Sequence, residues 1–191
     1  MVYIDDRLWD FDLDAALQEI SEERRRQALR YRHELGQRQC VLAYLLLKRA
    51  LREEYGIEGT PAFGYGPHGK PLLAGRPDIH FSLSHCREAV ACVVSDHPVG
   101  IDVESVGRYR ERLAAYTMNE MELAEIAAAP SPDVAFTRLW TMKEALLKCS
   151  GQGLVDGLKT VLDGVETHRF TTVTAPSGRY VYSVYPAVSV R

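Results

Sequence analysis

The chain has 191 residues, 46% hydrophobic and 26% charged, with a formal net charge of −3. This is an ordinary mix for a folded chain of one domain or two small ones, and the balance gives no support for bulk nucleic-acid binding. With no run of 18 apolar residues and no charged-then-apolar leader, neither a membrane span nor export is expected, and Cys40, Cys86, Cys92 and Cys149 read as small hydrophobes of a reducing, cytoplasmic compartment.

Met1–Ile4 reads as a first strand, followed by an acidic stretch that includes Asp10, Asp12 and Asp14. Ser21 is placed to cap a helix running to Tyr31, with Glu22 and Glu23 in its first turn. Arg24, Arg25, Arg26, Arg30, Arg32 and Arg38 crowd the next stretch. Cys40, Tyr44, Leu47, Leu51 and Tyr55 share one helical face, which predicts a long core helix over Gly36–Tyr55. Gly64–Gly75 is a Gly/Pro-rich loop. Ile79, Phe81 and Leu83 alternate with His80, Ser82 and Ser84, which predicts a strand; Cys86-Arg87-Glu88 is its turn and Ala89–Val94 the return strand. The turn Asp96-His97-Pro98 is the expected seam between two halves, residues 1–97 and 98–191. The second half repeats the order of elements: a strand at Val99–Glu104, helices at Arg110–Ala115, Glu120–Ala129 and Val134–Ser150, then strands at Thr160–Leu162, Arg169–Val173 and Arg179–Tyr185.

Two segments carry most of the chemistry. In Gly100-Ile101-Asp102-Val103-Glu104 the strand alternation sends both carboxylates to one side, where they repel unless a cation sits between them. In Trp140-Thr141-Met142-Lys143-Glu144-Ala145-Leu146-Leu147-Lys148 an apolar stripe of Met142, Ala145, Leu146 and Cys149 leaves Trp140, Glu144 and Lys148 on another face. Three carboxylates and an ammonium group form a kit for a magnesium ion and a phosphate ester. Taken singly, each has a plainer reading, as a solvated strand face and as a surface helix pair. Upstream, Ser84 and His85 stand where strand meets turn and offer a hydroxyl and an imidazole to a phosphate.

These three elements in this order resemble the 4′-phosphopantetheinyl transferases of the single-chain, surfactin-synthetase-activating type: Ser-His after a strand, Gly-Ile-Asp-x-Glu, then Trp-Ser/Thr-x-Lys-Glu-Ala-x-x-Lys. Gly69-Lys70-Pro71, Tyr116-Thr117-x-x-Glu120 and Gly151-Gln152-Gly153-Leu154 extend the resemblance, which spans about Arg24 to Leu154. Cys86 stands where the family usually has Ser or Thr, Gln39 follows Arg38 where a basic residue is expected, and the chain is short for the type.

The resemblance implies an α+β fold of two similar, pseudo-symmetric lobes, each a small antiparallel sheet on a long helix, with the active site between them. It implies transfer of the 4′-phosphopantetheine arm of coenzyme A (CoA) to a serine of an apo acyl or peptidyl carrier protein, releasing 3′,5′-ADP. Asp102, Glu104 and Glu144 would ligate Mg²⁺; Glu144, or a water it holds, would be the base; Lys148 would bind a phosphate or stabilise the leaving group. Lys70, Ser84 and His85 would hold the 3′-phosphate, Arg38 would add a CoA contact, and the arginine-rich stretch would steer an acidic carrier or CoA. Trp140 is expected to pack at the base of the site, and a monomer is expected because two lobes complete one site. A binder without activity and a pyrophosphate hydrolase are the rival readings. The acid trio argues against the first, and the lack of a phosphate-binding glycine loop against the second.

Overall fold

The computed structural model describes residues 1–107, 109–153 and 157–187. Leu154, the last residue of the Gly-x-Gly-Leu element, lies outside the described residues. In chain order the elements are β1 (Val2–Asp5), α1 (Leu13–Gln18), α2 (Glu22–Ala28), α3 (Glu34–Tyr55), β2 (Phe63–Tyr65), β3 (Pro71–Leu73), β4 (His80–His85), β5 (Val90–Ser95), β6 (Gly100–Ser105), α4 (Glu111–Thr117), α5 (Glu120–Ala128), α6 (Pro132–Ser150), β7 (Thr171–Thr174) and β8 (Tyr180–Tyr185). The fold is thus mixed helix and antiparallel sheet.

Two three-stranded sheets form, ordered β1-β5-β4 and β6-β8-β7, so in each the first strand and the second flank the third. β2 and β3 make a separate hairpin. Alternation along β5 divides its side chains between two cores. Val90, Cys92 and Val94 pack with Leu42, Leu46 and Leu47 of α3, while Ala91 and Val93 pack with Ile101, Val103, Tyr182 and Val184 of the second sheet. β5 is therefore covered on both faces, which explains its unbroken apolar run.

The helices end where their sequences provide caps. Asp12 and Ser21 accept from Ala15 and Arg24 backbone N–H groups, Asn119 and Glu122 form a capping box on α5, and Gly56 and Gly151 close α3 and α6 in the left-handed region. α6 lies on β6 at Gly100, where a Cβ would stand 2.0 Å from the Ala145 carbonyl oxygen and 2.5 Å from the Cys149 nitrogen. Thr141 Oγ1 of α6 also bonds Ser183 Oγ of β8 at 2.8 Å.

Two expectations are corrected. The Thr160–Leu162 segment is not a strand: Leu158–Thr160 is a 3-10 turn followed by turn residues, so three apolar and β-branched residues were too short a pattern to decide. α1 was not anticipated, and the 64–75 loop contains the β2–β3 hairpin. On the carboxylate-bearing face of β6, Asp102 is 4% exposed, so the plainer reading of a solvated strand face does not hold at that residue. Among the described residues no helix is long and apolar enough to cross a membrane.

Candidate active site

β4 and β6 are the facing edges of the two sheets, and serine hydroxyls join them. Strand alternation sends Ser82 and Ser84 to the same side. The Ile101 N–H donates to Ser82 Oγ at 3.2 Å and the Val103 N–H to Ser84 Oγ at 3.3 Å. Farther along the seam, Ser105 and Glu88 are hydrogen-bonded. Edge backbone donors that would otherwise be buried unpaired are thereby satisfied.

Asp102 sits at this seam. Ser84 Oγ donates to its Oδ1 at 2.8 Å, and Lys148 Nζ donates to the same oxygen at 2.6 Å and to Ser84 Oγ at 2.9 Å. Asp102 Oδ2 is buried and has no hydrogen-bond partner among the described residues. A buried, unpartnered carboxylate oxygen is costly unless a cation or donor completes it.

Glu144 stands one turn before Lys148 on α6. Both line a cavity of about 300 Å³ whose other walls include His68, Lys70, Ser82 and Gly151. Burial, and then the neighbouring Asp102 charge, hold the Glu144 carboxyl above the usual carboxylate range, against the pull of Lys148. Glu104 opens onto two adjoining clefts, one with Leu113, Phe136 and Trp140, the other with Gln39, His85 and Arg87. Among the described residues no three His, Cys, Asp or Glu side chains gather as a ready metal cage. Magnesium is bound through one or two protein carboxylates, with water and substrate phosphates completing the octahedron. The unpartnered Asp102 Oδ2, with Glu144 near enough to feel the Asp102 charge, fits that donor set.

The other expected residues are placed as follows. Lys70 Nζ donates to the carbonyls of Val99 at 3.3 Å and Cys149 at 3.1 Å, which leaves one of its three N–H groups for a further partner. His85 lines a different cleft from Lys70; burial, Lys148 and Arg24 push its imidazole pKa down. Arg38 is a structural residue here. Its guanidinium donates to Glu34 and to the carbonyls of Leu8 and Phe11, stacks over the rings of Trp9 and Phe11, and so pins the 8–11 segment to α3. Arg24 and Arg25 likewise donate to the Cys40 and Leu17 carbonyls, whereas Arg26 and Arg30 line a separate cleft with Tyr65. Trp140 packs on Phe136. Ser82 and Gly100 were not anticipated. The Ser-x-Ser alternation and the glycine opening a strand were their only signals.

The profile of the 4′-phosphopantetheinyl transferase superfamily matches residues 98–182, which include Asp102, Glu104, Glu144 and Lys148. The chain is 31% identical over 176 residues to the 4′-phosphopantetheinyl transferase psf-1 of Bacillus pumilus, covering 88% of this chain and 76% of that protein. It is 30% identical over 157 residues to a 4′-phosphopantetheinyl transferase of Bacillus subtilis, covering 80% and 70%. With the 4′-phosphopantetheinyl transferase Sfp of Bacillus subtilis (strain 168) it shares 27% identity over 156 residues, covering 80% and 70%.

Proposed function

The chain belongs to the 4′-phosphopantetheinyl transferase superfamily and is an enzyme of that class, and we propose that it moves the 4′-phosphopantetheine arm of CoA onto a serine of an apo acyl or peptidyl carrier protein, with Mg²⁺ bound and 3′,5′-ADP as leaving group. The observation that carries this reading is Asp102: one carboxylate oxygen is held by Ser84 and Lys148, the other is buried and unpartnered, and the charge of this carboxylate is felt by Glu144.

Asp102, Glu104 and Glu144 would hold the magnesium, which when bound neutralises charge on the CoA pyrophosphate. The carrier's serine oxygen forms a bond to the β-phosphorus of CoA. The bond from that phosphorus to the bridging oxygen breaks, and 3′,5′-ADP departs with the electron pair. The serine proton passes to Glu144 or to a water it holds. Lys148 would turn from Asp102 to the phosphate and balance charge on the leaving group. Lys70, with one N–H left, and His85, at the neighbouring cleft, are the groups for the phosphates of CoA. Phosphoryl transfer asks for positioning and charge balance, and the seam supplies rigid elements for both.

Residues 1–97 and 98–191 are taken as pseudo-symmetric lobes, a reading supported by the shared first–third–second strand order of the sheets, and the proposal extends to a cytoplasmic monomer. Metal-stripped enzyme should need added Mg²⁺ for transfer. Asp102→Ala should lose about a thousandfold in rate, the several kcal/mol of metal charge stabilisation, while still unfolding cooperatively at a midpoint lowered by the loss of the Ser84 and Lys148 bonds. A wild-type rate from that variant at millimolar Mg²⁺ would overturn the metal role.

A further inference from the structure

We infer that Arg87, in the turn between β4 and β5, binds the 3′-phosphate of CoA, an inference that rests on the reading of this chain as a CoA-dependent transferase. The cleft concerned has a volume of about 560 Å³, and Gln39, His85, Arg87, Glu104 and Ser105 are among its lining residues. Among the described residues that line it, Arg87 carries the only permanent positive charge. Gln39 is neutral, and its side-chain amide is spent on the Cys86 carbonyl at 2.6 Å. Glu104 adds a negative charge, so a phosphomonoester, with about two negative charges of its own, needs a cation in the same cleft. Lys70 and Lys148 line the other cavity, which leaves Arg87 to meet a phosphate beside His85.

An exposed arginine ordinarily loses much side-chain freedom when it takes a ligand, and Arg87 has already given up part of that freedom. Its side chain is 81% exposed, yet its Nε donates to Glu88 Oε1 at 2.9 Å, and the Glu88 side chain is 8% exposed. The second oxygen of Glu88 accepts from the Ser105 hydroxyl at the end of β6. One buried carboxylate therefore ties the guanidinium to the facing sheet. Arginine has five N–H groups, and the four on Nη1 and Nη2 have no hydrogen-bond partner among the described residues. Those two nitrogens form a planar fork that takes two phosphate oxygens at once.

The test is calorimetric titration of the full chain, with Mg²⁺ present and no carrier protein, by CoA and by 3′-dephospho-CoA. Wild type, Arg87→Met and Arg87→Lys are compared, and each variant is checked by thermal unfolding. Wild type should bind CoA more tightly than 3′-dephospho-CoA. Arg87→Met should weaken CoA by about tenfold, the lower end for a charge-assisted pair because the guanidinium is exposed, and leave the affinity for 3′-dephospho-CoA unchanged. Arg87→Lys, which keeps the charge and loses the fork, should fall between the two. Equal losses on both ligands in Arg87→Met would place Arg87 at the diphosphate or make it a residue that shapes the turn, and wild-type CoA affinity in that variant would leave it a surface residue; either result overturns the inference. A wild-type chain that binds neither ligand would remove the CoA reading itself.

Discussion

Lys143 and Glu122 form a buried ion pair, Nζ to Oε2 at 2.8 Å, with side chains only 1% and 8% exposed. The ammonium also donates to the carbonyls of Thr117 at 3.2 Å and Leu158 at 2.7 Å, so its three N–H groups are all used inside the protein. Lys143 belongs to the same short helical motif as Glu144 and Lys148, yet it faces the opposite way, into α5 and the 158–160 turn. It is a structural cation, and it ties the end of α4, the start of α5 and that turn to α6.

Lys143→Met should therefore destabilise the protein by about 3–5 kcal/mol, because it leaves the Glu122 carboxylate buried without its partner, and Glu122 Oε1 is already unpartnered. Adding Glu122→Gln should recover much of the loss, since an amide oxygen keeps the capping bond from the Asn119 N–H and carries no charge. Urea unfolding of the single and double variants measures this. A double variant no better than Lys143→Met would contradict it.

Lys148→Ala should show the reverse balance. Its side chain is 31% exposed, so the midpoint of unfolding should move less than for Lys143→Met, while the transfer rate falls by about a hundredfold or more, the scale for one lost donor at developing charge. A Lys148 variant that unfolds as readily as the Lys143 variant and keeps its rate would reverse these roles.

Gly100→Ala tests the contact that sets α6 on β6. The new methyl group would meet two backbone atoms, neither of which can swing aside as a side chain does. Overpacking of this kind costs about 1–3 kcal/mol or more, and any shift of α6 carries Glu144 and Lys148 with it. Denaturation and rate should both suffer. A variant with wild-type midpoint and rate would show that the helix stands farther from the strand.

His85→Ala should weaken CoA more than 3′-dephospho-CoA. A hydrogen bond to a charged phosphate is worth roughly 1.5–3 kcal/mol, so the ratio of the two KM values should shrink by about tenfold or more. Equal losses on both substrates would make His85 a residue that shapes the hairpin end beside Gln39, whose side-chain amide bonds the Cys86 carbonyl at 2.6 Å.

Much of this arrangement was legible in the sequence where a strong period ran for long enough. The face of Cys40, Tyr44, Leu47 and Leu51 marked α3, and the Ile101–Val103 alternation marked β6. Short elements escaped: β2 and β3 have three residues each inside a Gly/Pro stretch, and α1, with its Asp12 cap, was hidden in an acidic run. Burial of polar groups was least legible, because it depends on partners distant in sequence. Ser84 and Asp102 lie 18 residues apart and Lys148 another 46 from Asp102, and a pattern of local spacing could place each on a face but could not show that one oxygen of Asp102 would be claimed by both. For the same reason the burial of Lys143 against Glu122 was not legible from the helical spacing of its motif.

The most direct measurement of the central claim is the intact mass of an apo carrier protein after incubation with this enzyme, CoA and Mg²⁺, with 3′,5′-ADP quantified in the same reaction. The account predicts a carrier heavier by one phosphopantetheine arm and one 3′,5′-ADP per carrier modified. Release of 3′,5′-ADP with an unmodified carrier, or neither product across a panel of acyl and peptidyl carriers, would contradict it.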